Sequence, residues 1–448
     1  MPVTTPIGGT LLASAGARLR IAGLAVLLLW GAVLWAYMAP PAPSVHRQPS
    51  VQLPAVFWLV AASGQRAPTG GSFDRFDVAS QPIVAPVNAR GHVAFYASVL
   101  RTKAREGIFL ATGSGIKKIA AIGDPIPGGG VLSEFAKHPI PSLNDADKVA
   151  FGAAIMGAQA NEGVFLCADG ALNAIALSGA DAPGLPTGTF VEFDTPTLNN
   201  GDEVAFVARV RRGRETLEVL YLYSGGRLRK LVAEGDPSPR GGTFEKFGVP
   251  AINNKGVVAF PAVLEHATVL GGIFVAGTRD LRLVLGAGET DPNGVMLVRF
   301  SEHIGINDED NLVLSAHVSK GSGQQEAVLL AQPAGLLQIA VAGDDAPGAG
   351  KFAGFGPWPS LGPGEMVAFV AAVDNGPGPL GLYVRQAGSL RRIVMTGERL
   401  PNGKTLPGFA LNPVATVGPN GGMTFATVAE PEIGQTGIYY FGPPPASD

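Results

Sequence analysis

Seven short stretches of the chain alternate apolar with small residues directly after a polar turn. They read "VNARGHVAFYA" from Val87, "LNDADKVAFGA" from Leu143, "LNNGDEVAFVA" from Leu198, "INNKGVVAFPA" from Ile252, "INDEDNLVLSA" from Ile306, "LGPGEMVAFVA" from Leu361 and "VGPNGGMTFAT" from Val417. In register, Phe95, Phe151, Phe206, Phe260, Leu314, Phe369 and Phe425 are separated by 56, 55, 54, 54, 55 and 56 residues. A period this steady marks a repeat array. The period-2 alternation predicts strands with one face in a core, and the Asn or Gly ahead of it predicts a reversal between a first and a second strand.

Other runs recur between these stretches. A third strand is predicted at "GIFLA" from Gly107, "GVFLC" from Gly163, "VLYLY" from Val219, "GIFVA" from Gly272, "AVLLA" from Ala327, "GLYVR" from Gly381 and "GIYYF" from Gly437. A fourth follows in "IKKIAAI", "LNAIALS", "RLRKLVA", "LRLVLGA", "LLQIAVA" and "LRRIVMT". After it, Gly64, Gly123, Gly179, Gly235, Gly288, Gly343 and Gly397 each precede a proline by four residues. Turn geometry explains both, because glycine tolerates positive φ and proline fixes φ near −65°. Phe76, Phe135, Phe193, Phe247, Phe300, Phe355 and Phe409 come next, and a ring at one place in every unit predicts a packed layer between sheets.

Small four-stranded sheets repeated seven times predict an all-β protein, a seven-bladed β-propeller. The ends of the chain support a closed ring. The last unit, "GIYYFGPPPASD", lacks a fourth strand, and "AVFWLVAASG" from Ala55 stands where every other unit has one. Pairing the two protects both exposed edges. The pattern resembles the tandem-repeat proteins named for an NxxGxVAF motif and, more distantly, the TolB-like propellers, to which "LGPGEMVAF" and "LYLYSGGRLRKLVAEGD" are similar. The resemblance spans residues 55–448, implies the propeller fold, and supplies no catalytic residues.

The N-terminus adds a different element. "IAGLAVLLLWGAVLWAYM", residues 21–38, carries no charge and is long enough as a helix to span a thin hydrocarbon core. Arg18 and Arg20 precede it, which predicts a cytoplasmic segment 1–20 and an extracytoplasmic array. Cleavage after Ala39 would put Tyr37 at −3 and Pro40 at +1, both poor for a signal peptidase, so an uncleaved signal anchor is expected rather than a signal peptide. Residues 39–54 read as a Pro-rich linker to a propeller at 55–448. The expected location is a bacterial inner membrane, single pass, with the propeller in the periplasm or outside the cell.

Composition narrows the chemistry. Gly (62) and Pro (37) are abundant in 448 residues, as a turn-rich β array requires. A net charge of −3 supplies no basic footprint for nucleic acid. Cys167, the only cysteine, sits in an apolar run and reads as a buried core residue. No GxSxG elbow, HExxH helix or phosphate loop is present.

Residues that break the repeat are the candidates for function. His138 and His303 occupy corresponding first-strand positions that would line the channel, with Glu302 and Asp194 as possible helpers, but no third zinc ligand is specified. The loop acids Asp124, Asp181, Asp236, Glu289, Asp344 and Glu398 read as turn caps before they read as a carboxylate ring. "NDADK" and "NDEDN" place acidic oxygens at alternate residues without the rest of a calcium loop, so no metal or cofactor is assigned. The segments joining second to third strands vary most. "RTKARE" (Arg101, Arg105) and "RVRRGRE" (Arg211, Arg212, Arg214) are basic and "AEPEIGQ" is acidic. Variable loops on a rigid scaffold predict a binding face for a protein, glycan or envelope component. The alternative is an extracytoplasmic hydrolase or lyase with its site at the channel mouth.

Overall fold

The computed structural model describes residues 56–446 apart from 79–80, 136, 138, 278–279, 321–322, 401–402, 404, 411 and 428–435. The described residues form seven antiparallel sheets in chain order, each with the second strand between the first and the third and the fourth outermost. In the third blade these are Thr189–Phe193 with Thr197–Leu198, then Val204–Arg212, Glu215–Ser224 and Arg227–Ala233. The ring closes as the chain ends predict. Val56–Ala62 pairs antiparallel with Gly437–Gly442 and supplies the outer strand of the seventh blade. Among the described residues no helix is long and apolar enough to cross a membrane, and the anchor expected at 21–38 lies outside them with the linker.

The alternation in "VAF" has a different cause from the one expected. Both faces of the second strand are buried. Val93, Phe95, Ala97 and Val99 enter a core shared with the seventh blade, whereas Ala94 and Tyr96 enter one shared with the second. Seven such cores lie one per seam, so the small and large positions serve two neighbours instead of a core and solvent. Phe76, Phe135, Phe193, Phe247, Phe355 and Phe409 pack on the second-strand rings Phe95, Phe151, Phe206, Phe260, Phe369 and Phe425 with centroids 5.5–5.9 Å apart, inside the cores at the seams, and Phe300 packs half-buried against the core of its own seam. Phe95–Phe109, Phe151–Phe165, Phe206–Tyr221, Phe260–Phe274, Phe369–Tyr383 and Phe425–Tyr439 stack across the second and third strands at 5.7–6.0 Å. Cys167 is buried, and burial pushes its thiol pKa up.

The first strand is broken where proline enters it. Val131–Glu134 and Ser142–Leu143, Thr189–Phe193 and Thr197–Leu198, Thr243–Phe247 and Ala251–Ile252, and Lys351–Phe355 and Ser360–Leu361 are paired pieces separated by stretches containing Pro141, Pro196, Pro250 and Pro359. A proline has no N–H to donate to the ladder. The fifth blade has none there, and its first strand, Met296–Ile306, stays continuous.

Candidate functional site: the channel and the loop face

Each repeated Asn does more than turn the chain. Asn199 Oδ1 accepts from the amides of Gly201 and Glu203, at 2.9 and 3.0 Å, which closes its own turn. Its Nδ2 donates at 2.9 Å to the carbonyl of Asn253 in the next blade. Asn88 reaches Asn144, Asn144 reaches Asn199, and Asn253 reaches Asn307 in the same way. An outer tier repeats the device, with Asp145 Oδ1 taking the Ala89 amide, Asn200 Oδ1 that of Asp145, Asn254 Oδ1 that of Asn200, and Asp308 Oδ1 that of Asn254. Asp147 and Asp310 accept from the Nδ2 of Asn88 and Asn253, so Asp145, Asp147, Asp308 and Asp310 of "NDADK" and "NDEDN" are engaged as bonds between blades.

The Gly-to-Pro loops are built as turn chemistry predicts. Their seven leading glycines all have φ between +82° and +97°. Asp124, Asp236 and Glu398 each accept the amide three residues back at 2.9 Å and bind a fourth-strand cation, Lys118, Lys230 or Arg392. Gln65 keeps the same cap on the Ala62 amide. These loops meet the second-to-third turns on one face of the ring. Thr102 Oγ1 donates to the Thr69 carbonyl at 3.1 Å, and a Cβ on Gly242 would fall 2.1 Å from the Glu265 carbonyl oxygen.

A cavity of about 380 Å³ in the channel gathers charged and titratable side chains from the second, third and fifth blades. Lys137 Nζ lies 2.7 Å from Glu162 and 2.5 Å from Glu192, and Arg209 joins Glu192 at 3.1 Å. Burial alone would lower the Lys137 pKa, but its hydrogen bonds to both glutamates outweigh that and hold it raised. The Lys137 hydrogen bond lowers Glu192 in return. Glu106, Glu162 and Glu218 also accept the amides of Phe135, Phe193 and Phe247 in the following blade, at 3.0–3.1 Å. Their 56-residue spacing was the signal in the sequence.

Asp194, Glu302 and His303 line the same cavity. His303 packs on Trp358 with ring centroids 3.6 Å apart, and its Nδ1 is buried with no hydrogen-bond partner among the described residues. Burial pushes its pKa down to about 4, so the ring is neutral near pH 7. His138 lies outside the described residues. The five arginines are exposed elsewhere: Arg101 and Arg105 at the second-to-third turn of the first blade, Arg211, Arg212 and Arg214 at that of the third. The second blade stands between them, and neither group lines the cavity. The acidic "AEPEIGQ" lies mostly outside the described residues.

Seven four-stranded sheets closed into a ring define a seven-bladed β-propeller. The chain matches the Family of unknown function (DUF7453) over residues 51–302 and again over 265–439, and it belongs to that family. No curated protein matches it in sequence. Among solved structures, it is similar to a puromycin-hydrolyzing peptidase of Mycobacterium tuberculosis, at 13% identity and a TM-score of 0.47, covering 87% of this chain and 55% of that one. It is also similar to PorZ, a surface component of the type-IX secretion system of Porphyromonas gingivalis, at 11% identity and 0.46, covering 85% and 48%. The chain thus spans about half the length of each. At these scores neither likeness bears on activity.

Proposed function

We propose that this protein is a non-enzymatic propeller, anchored through residues 21–38, that binds a protein, glycan or envelope component through its Gly-to-Pro and second-to-third loop face. One observation carries the reading: the polar residues that the repeat conserves from blade to blade serve the framework, whereas the exposed arginines of the second-to-third turns make few contacts. Among the described residues Arg212 meets only Glu215, at 3.4 Å and in solvent, and such exposed pairs add little to folding. Charge placed there is free to steer a partner. A hydrolase or lyase at the channel mouth is a weaker reading. Lys137 is held as a cation between two carboxylates, and His303 has no carboxylate hydrogen-bonded to it, so no acid–base pair is assembled among the described residues.

Capture from native membranes with the full-length chain tests the proposal. Reversing charge at Arg211, Arg212 and Arg214 is expected to lose the captured partner with the unfolding midpoint unchanged. Capture that survives the reversal refutes the loop-face reading. The anchor is tested separately, because an intact mass that includes residues 21–38 is expected from alkali-washed membranes, and a soluble product beginning at or after Pro40 refutes it.

A further inference from the structure

The seam where the ring closes departs at three positions together from the three blades that carry an ion pair at the rim. Trp58, opposite Tyr440, occupies the outer-strand place held elsewhere by Lys117, Asn173, Arg229, Arg282, Leu337 and Arg391. All of those but Leu337 are exposed. The next residue, Leu59, replaces the cations Lys118, Lys230 and Arg392, and Gln65 replaces the carboxylates that these bind, Asp124, Asp236 and Glu398. An ion pair that spans the rim in three other blades is thus absent here by substitution of both partners.

A cavity of about 570 Å³ opens at the same place, against about 230 Å³ for the equivalent groove between the fourth and fifth blades. Glu289 and Asp291 make that groove acidic. Trp58, Gln65, Arg66 and the small turn Gly113–Ser114–Gly115 line the cavity at the closing seam, and Arg66 is its only charged residue. Gln65 spends its oxygen on the Ala62 amide, which leaves its Nε2 as a donor. The Arg66 guanidinium is exposed and has no side-chain partner among the described residues. The Trp58 N–H is buried without an acceptor among the described residues, while the half-buried ring packs on Tyr440 at 5.9 Å and lines the cavity. An aromatic body, a fork-shaped cation and an amide donor, with no acid nearby, suit a ligand that has an apolar ring face, many acceptors and a negative charge.

We propose that the groove between the seventh and first blades binds an acidic saccharide, a uronate unit of a glycan chain, with its carboxylate on Arg66 and a ring face against Trp58. The site is separate from the loop face and stands whether or not that face binds a partner. Because the ligand touches the N-terminal strand and the first blade at once, binding also favours the closed ring.

Calorimetric titration of the full-length chain in detergent with tetragalacturonate, a hyaluronan tetrasaccharide and neutral maltotetraose tests this. Expected are binding of at least one uronate oligomer with a raised unfolding temperature, and affinity for maltotetraose at least tenfold weaker. Arg66→Glu, an exposed change that leaves the closing strand intact, is expected to weaken uronate binding at least tenfold. Trp58→Leu should do the same, judged only if its unfolding transition stays cooperative. Reversal at Arg211, Arg212 and Arg214 should leave uronate binding unchanged. The proposal is overturned if no uronate oligomer binds, if maltotetraose binds equally well, if Arg66→Glu has no effect, or if the loop-face reversal abolishes binding.

Discussion

Asn199→Ala removes four hydrogen bonds at once, and Asn200→Ala, one residue along, provides the contrast. Asn199 is 3% exposed, and its side chain accepts from Gly201 and Glu203 and donates to Asn253 O and Glu203 Oε2. At a net 0.5–1.5 kcal/mol per bond, discounted because the two turn amides regain water, the loss should be about 2–4 kcal/mol. The Asn200 side chain makes its two contacts to Asp145 in solvent, and their loss should cost at most about 1 kcal/mol. Urea unfolding followed by circular dichroism measures both. Asn199→Asp separates the two roles, because it keeps the turn acceptor but replaces the donor to the next blade, so it should fall between the other two. If Asn199→Ala costs no more than Asn200→Ala, the amide does not clasp neighbouring blades and the account of the repeated motif fails.

Deleting residues 56–62 should lower the melting temperature far more than deleting 39–50, because the first strips the partner from Gly437–Gly442; equal melting temperatures would refute ring closure. Asp236→Asn should cost about 1 kcal/mol or less, since an amide oxygen still accepts from Ala233, whereas Gly235→Val should cost more because φ is +82° there with no steric contact to blame; the reverse order in denaturant midpoints would overturn the turn assignment. His303 is neutral in the fold down to about pH 4 but titrates near 6.5 when unfolded, so its contribution is complete above pH 6.5 and falls away as the pH drops towards 4, by at most about 3 kcal/mol. A His303→Gln variant should lose that part of the acid sensitivity, and unchanged pH profiles would show that the ring is not desolvated.

The sheet number, the strand order and the shared closing blade were legible because each rests on local repetition: a turn residue, an alternating run and a glycine of positive φ recur at one period. What remained hidden is what one blade does to the next. The amide of Asn144 and the carboxylate of Glu162 act on backbone groups 55 and 31 residues away, and a single-repeat reading supplies no geometry for that. The proline breaks in the first strands could have been read, since Pro196 and Pro250 stand where a ladder donor is needed. Lys137, Glu192, Arg209 and His303 meet only because the second, third and fifth blades converge on one cavity, and no spacing along the chain encodes that meeting. Trp58 was quoted within its strand, yet its significance appears only beside the cations at the same register in the other blades.

Closure by the first strand also sets an order of events during synthesis. Val56–Ala62 emerges early, but its partner Gly437–Gly442 is made about 380 residues later, which at 5–20 residues per second is a delay of roughly 20–80 s. Throughout that interval an apolar strand, Val-Phe-Trp-Leu-Val-Ala-Ala, waits with no sheet to join, and the six blades between can form without it. The yield of folded protein should therefore depend on how that strand is shielded during translation, and a circular permutant that places it directly after Gly442 would abolish the wait while leaving the finished ring unchanged.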